Sequence, residues 1–226
     1  MAATRNETTL HHITSHHRIM CSRFNWLREL FSCFWALKKE RAACRGVRCF
    51  FYPTSFVIMS FTLRPWRLTD LNSLVHHANN AHIARNLTNA FPHPYTPDDG
   101  LAFIEMTGTH QPVRIFAIEV AGEAVGGIGV HPQGDVFIKN AELGYWLAEP
   151  YWGRGIVTGA VREITAYAFR HFDIDRLFAR PFGSNIGSQR VLEKAGFTLE
   201  AHLKGTIFKN GTTVDELIYA IRRDEL

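Results

Sequence analysis

Residues 142–171 read ELGYWLAEPYWGRGIVTGAVREITAYAFRH, and this stretch decides the fold. Ala141–Leu147 has the pattern of a strand, and the residues from about Arg154 to His171 have the period of a helix. The predicted buried stripe of that helix is Val157, Val161, Ile164 and Ala168. Gly153 and Gly155 form the connecting turn, which leaves the first helical amides unpaired and favours binding of a phosphate group. Gly-x-Gly alone is also typical of a plain strand-to-helix turn.

A second stretch with recognisable chemistry reads NIGSQRVLEKAGF, from Asn185 to Phe197. Asn185 is a suitable helix N-cap, and Gly196 is a suitable left-handed residue after the helix end. The apolar positions between them predict a short amphipathic helix over 186–195. All of these features are also compatible with a purely structural helix.

Other segments alternate between strand and helix signals. Strands are predicted over 61–66, 113–120, 124–130, 176–181, 197–203 and 213–221. Helix starts are predicted at Thr69 or Asp70 and at Thr96-Pro97-Asp98-Asp99. Interleaved strands and helices predict a mixed α/β domain around one sheet.

The two stretches together, in this order and about thirty residues apart, resemble the GCN5-related N-acetyltransferases, or GNAT superfamily. Three motifs are most similar to the RimJ/RimL-type branch: Gly144-Tyr-Trp-Leu147, Trp152-Gly-Arg-Gly155 and Asn185-x-x-Ser188. The resemblance covers roughly Phe61 to Arg223, within a predicted domain of residues 61–226. It implies a single mixed, mostly antiparallel sheet that is flanked by helices and has splayed central strands. Pro150 stands where the family motif usually begins with Gln or Arg, so one side-chain contact is lost.

The resemblance implies that acetyl-CoA is the acetyl donor and that an amine attacks it directly within a ternary complex. It implies no metal. The positions that correspond to the family's cofactor contacts are Leu147, Trp152, Gly153, Arg154, Gly155, Ile156, Val157, Asn185 and Ser188.

Two residues are candidates for proton transfer. Glu142 lies on the strand before the phosphate turn, where family members often place a carboxylate base that works through water. Many relatives use a Tyr seven residues after the Asn as the acid, but that position is Leu192 here, so Ser188 is the substitute. Tyr145 is a third candidate. Structural roles for Glu142 and Ser188 remain open, as does a catalytically weakened acyl-CoA-binding module as the alternative function.

The acceptor is not defined by these motifs. A protein N-terminal amine, an aminoglycoside, a polyamine and a small metabolite amine all remain open, and so does a homodimer. Acceptor contacts are expected from the loop Ala90–Tyr95, with His93 and Tyr95 as candidates, and from the final hairpin Lys204–Thr213.

Charge and cysteine divide the chain of 226 residues into two parts. Residues 1–60 carry nine Lys and Arg against three Glu, whereas residues 61–226 carry 16 basic and 18 acidic side chains. The larger part therefore has no electrostatic signature for nucleic acid. The sequence contains no stretch of 18 apolar residues, so no membrane span is predicted. All four Cys lie in residues 1–60, so no disulfide scaffold is indicated and a cytoplasmic location is expected.

Residues 1–60 are interpreted as a basic extension, either without regular structure or with one amphipathic helix over Phe24–Leu37. A membrane-surface or partner tether and a mitochondrial presequence are the functional alternatives. Cys44 and Cys49, with the His pairs at 11–12 and 16–17, match no common zinc spacing, so a metal site is not predicted there.

Overall fold

The computed structural model describes residues 60–226. The helices and strands are, in chain order, β1 (Thr62–Pro65), α1 (Leu71–Ala78), α2 (Ala81–Ala84), α3 (Pro97–Thr107), β2 (Ile115–Val120), β3 (Glu123–Pro132), β4 (Asn140–Leu147), α4 (Ile156–His171), β5 (Arg176–Ala179), α5 (Ile186–Lys194), β6 (Thr198–Lys209) and β7 (Thr212–Arg222). Short 3-10 helices cover Leu68–Asp70, Asp135–Phe137, Glu149–Tyr151 and Arg223–Glu225. The predictions for residues 1–59, including the helix over 24–37, lie outside the described residues.

The seven strands form one mixed sheet in the order β1-β2-β3-β4-β5-β7-β6. β4 and β5 run parallel, and the other neighbouring pairs run antiparallel. β4 pairs with β3 along its whole length, but its pairing with β5 ends at Glu142 opposite Phe178. Beyond Glu142 the two central strands diverge, so the predicted mixed, mostly antiparallel and splayed sheet is confirmed.

Strand alternation divides the core between the two faces of the sheet. Ile128 and Val130 of β3 belong to the larger core cluster, which also contains the buried side of α4. On the opposite face, Trp66 and residues of α1 and α3 form a second cluster. Gly127 lies on that second face, where a Cβ would come within 2.8 Å of the Trp146 indole nitrogen. Glycine at this position therefore allows the indole of Trp146 to lie against β3.

Local signals in the sequence place several element ends correctly. Thr96 caps α3 reciprocally with Asp99, as its Thr-Pro-Asp-Asp sequence predicted. Gly196 has φ of +98° after α5. Asn210 and Gly211 both have positive φ in the turn between β6 and β7, which suits a tight hairpin.

The buried face of α4 differs from its predicted stripe at one position. The helix begins at Ile156, and Val161, Ile164 and Ala168 are buried as predicted. Ile156 and Ala160 are also buried, whereas Val157 is only half-buried. Val157 packs against the core cluster as predicted, but it lies at the margin of the stripe and also lines the cleft described below.

A charged cluster joins β1 to the start of α1. The Arg64 guanidinium donates to both carboxylate oxygens of Asp70, at 2.7 and 2.8 Å, and to the Glu119 carboxylate of β2. Asp70 is 7% exposed and also accepts from the Arg67 backbone N–H. Burial alone would raise the pKa of Asp70, but the hydrogen bonds from Arg64 and Arg67 outweigh it and hold the pKa below its usual range. The cluster therefore stabilises the fold in the ionised state of Asp70.

Replacement of Asp70 by Asn should lower the free energy of unfolding by about 2 kcal/mol at pH 7, because it removes one charge from a buried, hydrogen-bonded pair. The native pKa of Asp70 lies below its unfolded value, so its contribution is complete above about pH 4 and is lost as the pH falls through the native pKa. The difference between wild type and Asp70→Asn should therefore shrink in acid. Urea denaturation of the full chain at pH 7 and at a pH below about 4 measures this difference in the free energy of unfolding.

The control is Asp173→Asn, which removes an ion pair of 2.6 Å between Lys139 and Asp173 on the surface. Asp173 is 89% exposed, so this change should leave the unfolding midpoint at the wild-type value. Equal stability of Asp70→Asn and wild type at pH 7 would contradict the assigned role of the Arg64 cluster.

No helix within residues 60–226 has the length and apolar character needed to cross a bilayer.

Candidate active site

A cleft of about 710 Å³ opens where β4 and β5 diverge. Its walls come from α2 and the residues after it, the end of β4, the start of α5 and the β6–β7 hairpin. The lining residues are His82, Ile83, Arg85, Asn86, Leu87, Tyr145, Trp146, Leu147, Trp152, Val157, Phe182, Ser184, Asn185, Ile186, Gly187, Ser188, Val191, Lys209, Asn210, Thr212 and Val214. The volume is typical of a small-molecule or cofactor site.

The turn between β4 and α4 presents backbone amides beside this cleft. Gly153 and Gly155 have φ of +74° and +78°, which are left-handed values that favour glycine. A Cβ on either residue would meet no described atom within 4 Å, so the turn is open on that side. The first amides of α4 have no partner within the helix and carry the positive end of its dipole. Together they form a site that suits an anionic group such as a pyrophosphate.

Trp152 connects this turn to the end of β4. Its indole Nε1 donates to the Leu147 carbonyl at 2.7 Å, and its ring, 42% exposed, lines the cleft. The Ala148 N–H donates to Val125 of β3. Because successive backbone groups of a strand point in opposite directions, the N–H and carbonyl of Leu147 point away from β3 and into the gap beside β5. The Leu147 N–H is therefore directed toward the cleft.

Tyr145 and Ser188 form a polar pair on the cleft wall. The Tyr145 hydroxyl lies 2.7 Å from the Ser188 Oγ, and either atom can be the donor. The N-cap Asn185 holds Ser188 by accepting its backbone N–H at 3.1 Å. Burial raises the pKa of Tyr145 well above its ordinary value, so its phenol keeps its proton at neutral pH. The pair thus presents a hydroxyl proton to the cleft.

Leu192 occupies the position of the usual acid in the family and is completely buried in the core. No proton donor is available from that position.

Glu142 lies outside the set of residues that line the cleft. Its carboxylate accepts from Arg180 Nε and Nη2, both at 3.1 Å. Arg180 also approaches the Glu216 carboxylate at 3.4 Å, and hydrogen bonding to Glu142 raises the pKa of the guanidinium. Glu142 and Tyr145, three positions apart on β4, lie on opposite faces of the sheet. Because Ser188 contacts Tyr145, the structure does not bring Glu142 and Ser188, the two predicted proton-transfer residues, together.

Five of the predicted cofactor positions line the cleft: Leu147, Trp152, Val157, Asn185 and Ser188. Gly153, Arg154 and Gly155 form the adjoining turn, and the Arg154 guanidinium lies 5.7 Å from the centre of the Tyr151 ring. Ile156 is buried, so it can offer a ligand only its backbone.

The expected acceptor loop is not a wall of the cleft. Tyr95 is buried in the second core cluster, and burial raises the pKa of Tyr95 to about 12. The prediction that Tyr95 lines the cleft is therefore wrong, and His93 is not among the lining residues either. Residues of the segment 82–87 line the cleft instead of this loop. The Asn80 N-cap is the one sequence signal for α2, because its side chain accepts the His82 backbone N–H.

Two residues, Glu149 and Lys209, attach the segment 80–89 to the rest of the domain. The Glu149 carboxylate, in the 3-10 helix after β4, accepts from Asn80 Nδ2 at 2.9 Å and contacts His82 Nδ1 at 3.0 Å. Hydrogen bonds from Asn80 and His82 lower the pKa of Glu149. At the other side, the Lys209 ammonium donates to Asn89 Oδ1 at 2.8 Å. The segment is therefore anchored both near the glycine turn and at the β6–β7 hairpin.

Among residues 60–226, no group of three or more His, Cys, Asp or Glu side chains is arranged to hold a metal ion.

Comparisons with known proteins agree with this arrangement. A family model described as an acetyltransferase (GNAT) domain matches residues 60–198. The probable N-acetyltransferase YjcK of Bacillus subtilis is 39% identical over 84 residues, which are 37% of this chain and 46% of that protein. The putative ribosomal N-acetyltransferase YdaF of the same organism is 33% identical over 104 residues, 46% of this chain and 56% of that protein. The chain thus spans about half the length of these curated relatives.

A solved structure extends the likeness to the whole fold. Mycobacterium smegmatis RimJ in complex with CoA-disulfide superposes with a TM-score of 0.64 and 27% identity, covering 75% of this chain and 85% of that one. The family model covers more than half of the chain, and it includes the β4–glycine-turn stretch and the Asn185 stretch that carry the resemblance. The chain therefore belongs to the GNAT acetyltransferase family, with relatives of the RimJ/RimL type.

Proposed function

We propose that this protein is an N-acetyltransferase that transfers the acetyl group of acetyl-CoA to a primary amine by direct attack in a ternary complex. The observation that carries the proposal is the cleft at the divergence of β4 and β5, which combines an amide-rich glycine turn with the Tyr145–Ser188 pair. Family membership supports the same reaction.

The residues present fit acetyl-CoA as the donor. The turn from Trp152 to Val157 would hold its pyrophosphate through backbone amides, and the cleft beside the end of β4 would take its pantetheine part. When bound, acetyl-CoA supplies the thioester carbonyl and a thiolate leaving group. The open space beside Gly153 and Gly155 is the feature of this chain that fits a phosphate group.

The chain must then supply hydrogen-bond donors for developing negative charge. The Leu147 N–H points into the gap and is the candidate donor for the carbonyl oxygen. The Tyr145–Ser188 pair would supply a proton to the leaving sulfur, with Ser188 as the donor and Tyr145 as its hydrogen-bonded support. A thiolate with a pKa near 8.5 leaves tolerably well unprotonated, so this proton contributes less than the base.

Deprotonation of the amine is the larger demand for an alkyl amine. With a pKa of about 10.4, it costs roughly 4–5 kcal/mol at neutral pH, compared with about 1 kcal/mol for an α-amine. We assign the base role to Glu142, which would act through water because it does not line the cleft. Arg180 fixes the orientation of its carboxylate through two hydrogen bonds.

The proposed acceptor is a protein N-terminal amine or a small-molecule amine. YdaF is named as a putative ribosomal N-acetyltransferase and supports the first class for this chain. The buried Leu192 at the usual acid position favours one alternative, a catalytically weakened module that binds acyl-CoA.

The two functions differ in one measurement, the release of CoA thiol from acetyl-CoA when a panel of primary amines is added to the full chain. We expect release that depends on the amine and rises with its concentration. Tight acetyl-CoA binding in calorimetry, with no release above the rate without protein for any amine, would favour the binding module instead.

Replacement of Gly155 by Ala should weaken acetyl-CoA binding at least about tenfold. The new methyl group would lie beside the amides of the turn, and alanine at φ of +78° costs about 1–2 kcal/mol, which a folded protein can tolerate. Gly122→Ala is the matched control, because Gly122 has φ of +86°, also has open space beside it, and lies in the β2–β3 turn. Calorimetric titration should give wild-type affinity for the control. Wild-type affinity in Gly155→Ala would exclude the turn as the phosphate site.

The two proton-transfer roles predict different pH–rate profiles of kcat/KM with an alkyl amine. Glu142→Gln should reduce the rate about 100-fold near neutral pH, and the defect should shrink as pH rises because solvent then supplies neutral amine. Ser188→Ala should reduce the rate about tenfold, with no selective loss at low pH.

The matched controls separate these roles from packing. Glu216→Gln removes a carboxylate from the same Arg180 cluster and should show no pH-selective defect. Tyr145→Phe should cost about as much as Ser188→Ala, and the double variant little more, if the two hydroxyls act as a pair. Parallel profiles for Glu142→Gln and wild type would mean that Glu142 is not the base.

A further inference from the structure

The charged side chains that line the cleft are all basic. Among the lining residues within 60–226, Arg85 and Lys209 are cationic and His82 can become so, while no Asp or Glu is present. The rest of the lining is apolar, amide or hydroxyl. A cationic ligand would therefore find no carboxylate partner on these walls.

Lys209 is the most informative of these cations. It is half-buried at the end of β6, and its ammonium donates to the neutral Asn89 amide oxygen. No ion pair within the described chain involves Lys209, whereas Arg64, Arg176, Arg180 and Arg222 each lie within 3.5 Å of a carboxylate. Arg85 makes no direct ion pair there, but it lies close enough to Glu149 to help lower the pKa of that carboxyl. The Lys209 ammonium has a neutral amide partner and no carboxylate partner within the described chain, so it is available to pair with an anionic ligand.

The donor's phosphates do not account for this charge. The pyrophosphate site proposed above consists of the glycine turn and the first amides of α4, which belong to a different wall. Lys209 and its neighbour Asn210 lie on the β6–β7 hairpin, and Arg85 follows directly after α2. Both elements contribute lining residues of their own, which are distinct from those of the glycine turn and α5.

We propose that the acceptor is a small amine that also carries a carboxylate, and that Lys209, assisted by Arg85, binds this carboxylate. The inference rests on the proposed acetyltransferase function and names the acceptor class for the same site. A polyamine, which carries only positive charge, would be a poor acceptor in this cleft because its further ammonium groups would approach Lys209 and Arg85.

The test compares acceptors that differ only in the anionic group: an amino acid and its carboxamide, with spermidine as a polycation. A carboxylate raises the pKa of a nearby ammonium, so less of the amino acid is in the reactive neutral form at a given pH. Intrinsic reactivity therefore favours the carboxamide. We expect kcat/KM, measured by thiol release, to be about tenfold higher for the amino acid than for the carboxamide, and lowest for spermidine.

The variant Lys209→Gln should remove most of this preference by raising KM for the amino acid, and it should leave KM for acetyl-CoA within about twofold of wild type. Lys209→Glu should reverse the preference toward the carboxamide. Lys204→Gln is the control, because Lys204 lies on the exposed part of the same hairpin and does not line the cleft. It should keep the wild-type preference.

The outcomes distinguish this inference from the function on which it rests. Equal kcat/KM for amino acid and carboxamide in wild type, or faster turnover of spermidine, would overturn the carboxylate site while leaving the acetyltransferase in place. A rise in KM for acetyl-CoA in Lys209→Gln, with the acceptor preference unchanged, would assign Lys209 to the donor instead. No thiol release with any amine would overturn the proposed function and this inference together.

Discussion

The candidate active site depends on one constraint: backbone groups of β4 need hydrogen-bond partners beyond the point where its pairing with β5 ends. β5 pairs with β4 only as far as Glu142, so the outward backbone groups beyond that point have no strand partner. Buried amides and carbonyls rarely remain unpaired. The Trp152 indole satisfies the Leu147 carbonyl, while the Leu147 N–H is left facing the cleft. The position proposed to bind the donor is thus the position at which the sheet is incomplete.

The same indole contact explains how strand and turn act as one site. Trp152 follows directly on the 3-10 helix after β4 and precedes Gly153, so its hydrogen bond to Leu147 fixes the start of the glycine turn relative to the strand. Ile156, buried at the first position of α4, fixes the other end. Between these two points the chain adopts two left-handed conformations that glycine tolerates. The amides of the turn are thereby oriented before any ligand arrives, which lowers the entropic cost of binding.

Periodic and capping signals in the sequence were sufficient to predict a mixed α/β domain around one sheet, the α4 and α5 helices and the glycine turn, whereas the strand arrangement of the sheet was implied by the family resemblance. They failed where position depends on contacts between distant segments. Tyr95 resembled a loop residue from its proline neighbours, but its ring packs in a core formed with Trp66 and Ile104. The Arg180 partner of Glu142 and the Tyr145–Ser188 pair join residues 38 and 43 positions apart, and no local pattern encodes such pairs. Val157 packs against the core as predicted but also lines the cleft, a second role that a helical period cannot reveal.

The alternation of side chains along β4 also bears on how this one strand could contribute both a base and part of an acid to the proposed reaction. Glu142 and Tyr145 are separated by an odd number of positions on β4, so their side chains project from opposite faces of the sheet. In the proposed reaction, proton removal from the amine and proton delivery to the sulfur would then occur on different sides of the strand whose Leu147 N–H faces the carbonyl oxygen. A nucleophile and a leaving group occupy different directions around a carbonyl carbon. If Glu142 and the Tyr145–Ser188 pair act as proposed, separation of the two groups by the strand itself would prevent the base from taking the proton that the acid must deliver.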